Sequence, residues 1–432
     1  MKKIIVLLLA VFIFSCTKEK PEDILNQIAE DYVKLVLETG QYDPNFVDAY
    51  YGPDGWKPAP LDAALKENPP YDILLERSSL LINRVKGLKN NNFDKELRLR
   101  QLFLQKQLEA VRGRIEMLKG ESFTFDQETE VLYDVVTPDY TVEHFESLIN
   151  ELEQLLPGKG SLTERVTDFK EEFIIPEEKL DTVFHTAIQE ARRRTLEYIH
   201  LPANENFVLE FVTDKPWGGY NWYKGNNFSL IQINTDLPIY IDRAIDLASH
   251  EGYPGHHVFA CLLESKMVKE RGWVEYSVYP LFSPQSLIAE GTANYGIEMA
   301  FPSDEKIKFE KEVLFPLAGL NPEKVEKYYK VLDLVSQISY VRNAAAEAYL
   351  DGKMSKEETI DWLVKYALRD KKGAGQSIQF IENYRSYVIN YNVGLDMVRD
   401  YMETNAGQSK AEKWKTFAHL ISTPQVPSNL SE

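Results

Sequence analysis

A chain of 432 residues that sets 67 Asp and Glu against 49 Lys and Arg carries a formal charge of −18, and such a surface repels phosphate backbones, so nucleic acid is set aside as a partner. Its 44% hydrophobic and 12% aromatic content belongs to a globular protein and excludes a disordered one. Only Cys16 and Cys261 could cross-link, so stability must come from the core.

The chain opens Met1-Lys2-Lys3, continues in an unbroken apolar run from Ile4 to Phe14 and reaches Ser15-Cys16. A charged start, a short apolar stretch and a small residue before cysteine make a signal peptide. The run of 11 residues is too short for a bilayer, which needs about 20 in helical form. Cys directly after the apolar run resembles a bacterial lipobox. Cys16 is therefore expected to be the lipidated mature N-terminus, anchoring the protein in the cell envelope; an ordinary secretory signal cleaved nearby is the alternative. The expected organisation is a signal peptide over 1–15, a helical region over 16–200 and a catalytic region over 201–432, the last two forming one continuous fold.

From Glu22 to about Leu201 the sequence reads as successive helices. The clearest, roughly Phe93 to Leu118, places Leu104, Leu108, Val111 and Ile115 among many charged residues, the pattern of one buried stripe and one solvated face. Lys119-Gly120 and Pro157-Gly158 are expected to end helices. The texture then changes. Phe207 to Val212 and Phe228 to Asn234 read as short strands, separated by Trp217-Gly218-Gly219-Tyr220. Pro238 opens a helix running straight into His250. Further helices are expected over Pro284 to Met299, Pro322 to Leu350, Ser355 to Leu368 and Gln376 to Met402. The fold class is mainly α, a multi-helical catalytic domain with a small sheet beside the motif helix.

Three of the seven histidines fall within His250-Glu251-Gly252-Tyr253-Pro254-Gly255-His256-His257. In the pattern His-Glu-x-x-His two histidines one helical turn apart reach one zinc ion, and the glutamate acts as general base toward water. Here Pro254 stands where the second histidine would be. In an undistorted helix His256 would lie about 240° around the axis from His250. Pro254 removes a helical hydrogen bond and Gly255 relaxes the backbone, so the segment reads as a widened form of the motif. His256 is then the second ligand, with His257 as the alternative. Zinc held by two histidines commonly takes a third ligand from another helix, leaving one position open. Glu290 is that candidate, because it stands among small apolar neighbours where an unpaired carboxylate is costly. Asn294, one turn on, and Glu298 are candidates to orient the ligands from behind. Glu251 is the candidate base. The competing structural reading has the histidines capping helix ends around a Pro-Gly kink and Glu290 paired to an arginine.

At these residues the chain resembles a known family, the domain of unknown function numbered 885, whose hallmark is His-Glu-x-x-Pro-Gly-His-His followed by a helix with Glu-Gly. The match is literal at His250, Glu251, Pro254, Gly255, His256 and His257, and again at Glu290-Gly291. It spans roughly 200 to 405, with Asn234-Thr235 before the motif helix and Tyr391-Asn392-Val393-Gly394 similar to the family's Tyr-x-x-Gly. This chain departs from family members at Thr292, where Trp is common, and over Arg342 to Leu350, where it has mainly Ala before Tyr349. The resemblance implies a zinc-dependent peptidase of the gluzincin type, distantly similar to the oligopeptidase and carboxypeptidase Taq families, with Tyr391 donating to the oxyanion. Tyr387 and Tyr384, on the same tyrosine-rich helix, are the alternatives for that donor.

Asn234 and Tyr387 are candidate substrate contacts. The strand Phe228 to Asn234 is a candidate to lay a peptide backbone along the site, and Trp217, Tyr220, Trp222 and Tyr223 are candidate cleft walls. The expected activity is cleavage of oligopeptides, as a carboxypeptidase or dipeptidase among the options. A metallohydrolase of a non-peptide amide or ester, and a non-catalytic surface lipoprotein with a relict metal site, are the rival readings.

Overall fold

A computed structural model describes residues 20–430 apart from 92 and 216; the signal peptide and Cys16 lie outside the described residues. Helices dominate, and several begin at a side-chain cap. The helix Lys95–Lys119 is capped by Asp94, whose side chain accepts from Leu97 N, and ends at Gly120 with φ 105°. Capping boxes start helices at Thr124, Ser161, Ser355 and Ser409. The helix Val142–Leu155 stops before Pro157, and Gly160, not Gly158, takes the positive φ after it.

The expected long helices are shorter and interrupted. Pro322 to Leu350 divides into Val325–Ile338 and Val341–Leu350. Gln376 to Met402 divides into Lys371–Tyr384 and Ile389–Asn405, joined by the 3-10 turn Arg385–Val388 where Arg385 has φ 51°. Tyr384, Tyr387 and Tyr391 therefore occupy three elements, not one helix.

Among the described residues five strands make two sheets. β1 (Val47–Tyr50) pairs antiparallel with β5 (Val278–Pro280). β2 (Asn206–Val212), β3 (Gly219–Tyr223) and β4 (Phe228–Asn234) form a sheet in the order β2-β4-β3. β2 and β4 occur where the sequence predicts strands. β3 begins inside the stretch expected only to separate them, because antiparallel pairing with β4, from Gly219 opposite Ile233 to Tyr223 opposite Ser229, recruits a segment with no alternation of its own.

Two large apolar cores take residues from both sides of residue 200. One joins Phe103, Phe173 and Phe184 to Ile231, Ala248, Ile288 and Leu420; the other joins Leu25, Leu81 and Leu108 to Leu287, Ala345 and Val393. The helix Pro284–Ala300 is shared, giving Ile288 and Ala289 to the first core and Leu287 to the second. A fully buried ion pair adds a polar tie: Arg100 bonds Glu275 through two nitrogens at 2.6 and 3.0 Å and Asn26 at 2.8 Å. Truncating one partner of such a pair costs about 3–5 kcal/mol.

Candidate metal centre

The motif segment solves its spacing problem by leaving the α-helix. Asp242–Leu247 is α-helical, four residues after Pro238, and Ala248–Gly252 widens into a π turn. Tyr253 N bonds Ala248 O and Gly255 N bonds Ser249 O, both at 2.9 Å. The chain then turns at Tyr253, crosses a cis Tyr253–Pro254 peptide and restarts as the helix His256–Leu262. Gly255 is required by proximity: a Cβ there would lie 1.9 Å from the His250 carbonyl oxygen. The restart brings His256 Nε2 to 3.2 Å from His250 Nε2.

Glu290 comes to the same point from the middle of the helix Pro284–Ala300. Its Oε2 lies 3.3 Å from His250 Nε2 and its Oε1 3.6 Å from His256 Nε2. Tyr387 donates to Oε1 at 2.8 Å, while Oε2 is buried without a hydrogen bond. Burial pushes the Glu290 carboxyl up, but the facing His256 and His250 outweigh it and hold it well below the usual carboxylate range. Burial likewise pulls His256 down, and Glu290, Glu251 and Asp48 outweigh it, holding the imidazole at about 9.

Asn294 fixes the tautomer of His250. Its amide nitrogen donates to the Tyr391 carbonyl at 3.0 Å, which leaves its oxygen facing His250 Nδ1 at 3.0 Å. Nδ1 then carries the proton, and the Nε2 lone pair points into the cluster.

One donor atom from each of His250, His256 and Glu290 lies within 4.8 Å of the others. Two imidazole nitrogens and a carboxylate are the donor set zinc takes when a fourth position stays open, and the orphaned buried Glu290 oxygen is a group that a cation would satisfy. The residues present therefore fit the ion.

Glu251 is buried beside the cluster, and its carboxylate makes no hydrogen bond or ion pair with a described residue. A Cβ on Gly219 of β3 would lie 3.4 Å from its Oε1, and Asn221 of β3 donates to the Glu251 carbonyl at 2.6 Å. β3 is thus fastened along the π turn. The Tyr391 ring lies 5.8 Å from that of Tyr387, and its hydroxyl makes no hydrogen bond with a described residue.

Other candidates fall elsewhere. His257 is fully buried and turned to the sheet, with Ser229 Oγ 2.9 Å from Nδ1 and Glu205 Oε2 3.1 Å from Nε2. With both ring nitrogens occupied it stands outside the cluster, and the Glu205 carboxylate it meets is held low against burial by His257, Tyr253 and Arg192. Glu298 turns to the surface and pairs with Arg399 at 2.6 Å. Asn234 is spent on its own loop, donating to Lys215 O and accepting from Asp236 N. β4 lies between β2 and β3 with both edges paired, so it has no edge left for a peptide. Of the aromatic candidates, Tyr220 donates to Asp48, Trp222 bonds Gln232 at 3.1 Å and Tyr223 donates to Glu264.

Asp48 of β1 is a site residue that sequence reasoning misses. Burial, against the Tyr220 hydrogen bond and His256, raises its carboxyl to about 6, with Glu290 and Glu251 adding to the rise. Nothing in its own segment marks it, because only the pairing of β1 with β5 brings it near the cluster.

No family model matches the chain, and no curated protein matches it. Among solved structures it is similar to "the putative lipoprotein from Colwellia psychrerythraea", at 15% identity and a TM-score of 0.50 over 83% of this chain and 65% of the other. The chain thus spans just under two thirds of that protein. A second structure, of BsuCP, aligns at 11% identity and a TM-score of 0.40 over 93% of this chain and 88% of that one. At 15% identity the first likeness shows a shared multi-helical fold.

Proposed function

We propose that this protein is a zinc-dependent hydrolase that cleaves oligopeptides at the site formed by His250, His256 and Glu290. The observation that carries the reading is the convergence of these three donors beside a buried, unpartnered Glu251 carboxylate.

His250, His256 and Glu290 hold the ion, and Asn294 presents His250 in the tautomer that can bind it. When bound, zinc supplies Lewis acidity toward a carbonyl and lowers the pKa of water. Glu251 Oε takes the proton from the attacking water and passes it to the leaving amine. The Tyr391 hydroxyl donates to the oxygen that gains negative charge, a role supported by its ring lying 5.8 Å from that of Tyr387, which bonds Glu290, and by its carbonyl taking the Asn294 amide. Tyr387 is committed to Glu290 and so orients a ligand. The substrate backbone lies along β3, the edge strand that flanks Glu251.

A lipid anchor at Cys16 would hold the enzyme at the cell envelope. Lys2-Lys3, the apolar run and Ser15-Cys16 support this placement, as does the name of the Colwellia neighbour. No described helix is long and apolar enough to cross a membrane.

The reading is tested by metal analysis of the purified protein together with digestion of a mixed peptide library. One zinc per chain with peptide cleavage is expected. Zinc without cleavage of any peptide points to a non-peptide amide or ester, and failure to bind zinc contradicts the reading.

A further inference from the structure

Glu128 lies in the helix Phe125–Tyr133, 257 positions before Arg385. Its carboxylate is buried, which is costly unless hydrogen bonds meet it. Among the described residues its side chain bonds only two consecutive residues of the 3-10 turn Arg385–Val388. Arg385 Nε donates to Oε2 at 2.7 Å, and Ser386 donates to Oε1 through its backbone nitrogen at 3.1 Å and its hydroxyl at 2.5 Å.

The helix that offers this carboxylate is fixed at both ends. At its start Phe125 N donates to Asp351 at 2.7 Å; at its end Asp134 accepts from Ser428 N at 2.9 Å and pairs with Lys106 at 2.6 Å. The turn it holds is not relaxed. Arg385 has φ 51° and ψ −126°, a combination that suits glycine and is costly for any other residue. Such a conformation persists only where its surroundings over-determine it, and the bonds from Arg385 and Ser386 to Glu128 do so.

The next residue along the chain supports a metal ligand. Tyr387 is buried and donates to Glu290 Oε1 at 2.8 Å. Its ring is met edge to face by Tyr133, from the same helix as Glu128, at 6.4 Å, by Phe282 at 6.4 Å and by Tyr391 at 5.8 Å. Relaxation at Arg385 would rotate the peptide that follows and withdraw the hydroxyl from Glu290.

We propose that Glu128 is a positioning residue, which clamps Arg385 and Ser386 so that Tyr387 aims the Glu290 carboxylate at the metal. The N-terminal helices thereby take part in shaping the site. The effect of Glu128 on zinc rests on the proposed metal centre, whereas its hold on Tyr387 does not need the ion.

The test measures zinc affinity in competition with a chelator, beside thermal unfolding of each variant. Glu128→Gln removes one acceptor oxygen and should weaken zinc ~10-fold, the lower end of what losing the support behind a ligand costs. Tyr387→Phe should weaken it by at least as much. Because Glu128 acts through Tyr387, the double variant should bind no more weakly than Tyr387→Phe alone, whereas general loosening of the fold would add. Arg385→Gly, which accepts the backbone angles without a clamp, should restore affinity several-fold to the Glu128→Gln protein. Should Glu128→Gln fail to fold, Ser386→Ala, which removes a single donor, takes its place with the same dependence on Tyr387. Unchanged zinc affinity in the folded variant, or additive losses in the double variant, overturns the proposal. The second readout needs no metal: in a crystal structure of metal-free Glu128→Gln the Tyr387 hydroxyl should stand beyond hydrogen-bonding distance of Glu290, and a retained bond overturns the proposal. An unaltered protein that binds no zinc contradicts the hydrolase reading, and the crystallographic comparison then decides the clamp alone.

Discussion

Gly291 and Gly394 bring two helices into backbone contact: a Cβ on Gly291 would lie 2.3 Å from the Gly394 carbonyl oxygen, and one on Gly394 2.7 Å from the Leu287 carbonyl oxygen. Glu290 precedes the first glycine, and Tyr391 lies one turn before the second, so this contact sets the distance between the buried ligand and the tyrosines. Gly291→Ala must push the helices apart and should cost about 1–3 kcal/mol, with loss of zinc. Gly375→Ala, where a Cβ meets nothing within 4 Å, should be neutral or slightly stabilising. Thermal unfolding and metal content of the two variants check this; a Gly291→Ala protein with unaltered stability and zinc would contradict it.

Asn294 should matter to the metal although it is no ligand. Its oxygen holds the His250 Nδ1 proton and its nitrogen is fixed by the Tyr391 carbonyl. Asn294→Ala should weaken zinc binding by about 10- to 100-fold in competition with a chelator. Glu298→Ala removes a surface pair with Arg399 and should leave affinity unchanged. Equal effects from the two would refute the assignment of Asn294 behind His250.

The pH dependence follows from His256. In metal-free protein Glu290, Glu251 and Asp48 outweigh burial and hold it at about 9, above the ~6.5 of an unperturbed histidine. A folded-state value above the unfolded one stabilises most below pH ~6.5, and that contribution is lost as pH rises through about 9. Zinc needs the neutral ring, so zinc must displace this proton. Calorimetry in buffers of different ionisation heat should find proton release on zinc binding at pH 7–8, and tighter binding as pH rises toward about 9. Binding without proton release in this range would contradict the account.

The sequence makes the helices legible where capping and apolar spacing agree, as from Asp94 to Gly120, and it makes β2 and β4 legible by composition. It brings His250, His256 and Glu290 forward as a set because three histidines crowd one segment, and Asn294 because it lies one turn from Glu290. What it does not make legible is long-range. β3 exists because β4 offers it an edge, and Asp48 reaches the centre through a pairing between residues some 230 positions apart. The widening of the motif can be inferred from Pro254-Gly255, but its form, a π turn followed by a restart, depends on the contact of Gly255 with the His250 carbonyl. His257, the next residue after His256, points at Glu205 and Ser229, and not into the cluster.

The central claim is that Glu251 works as a base on a centre it does not bind. Glu251→Gln keeps shape and polarity while removing proton acceptance, and the side chain has no described partner to lose. The decisive measurement is turnover of a peptide substrate by Glu251→Gln loaded with one zinc per chain. The account predicts unchanged zinc content and thermal stability, with turnover reduced at least ~100-fold. Full turnover in the zinc-loaded variant, or loss of zinc together with turnover, would contradict it.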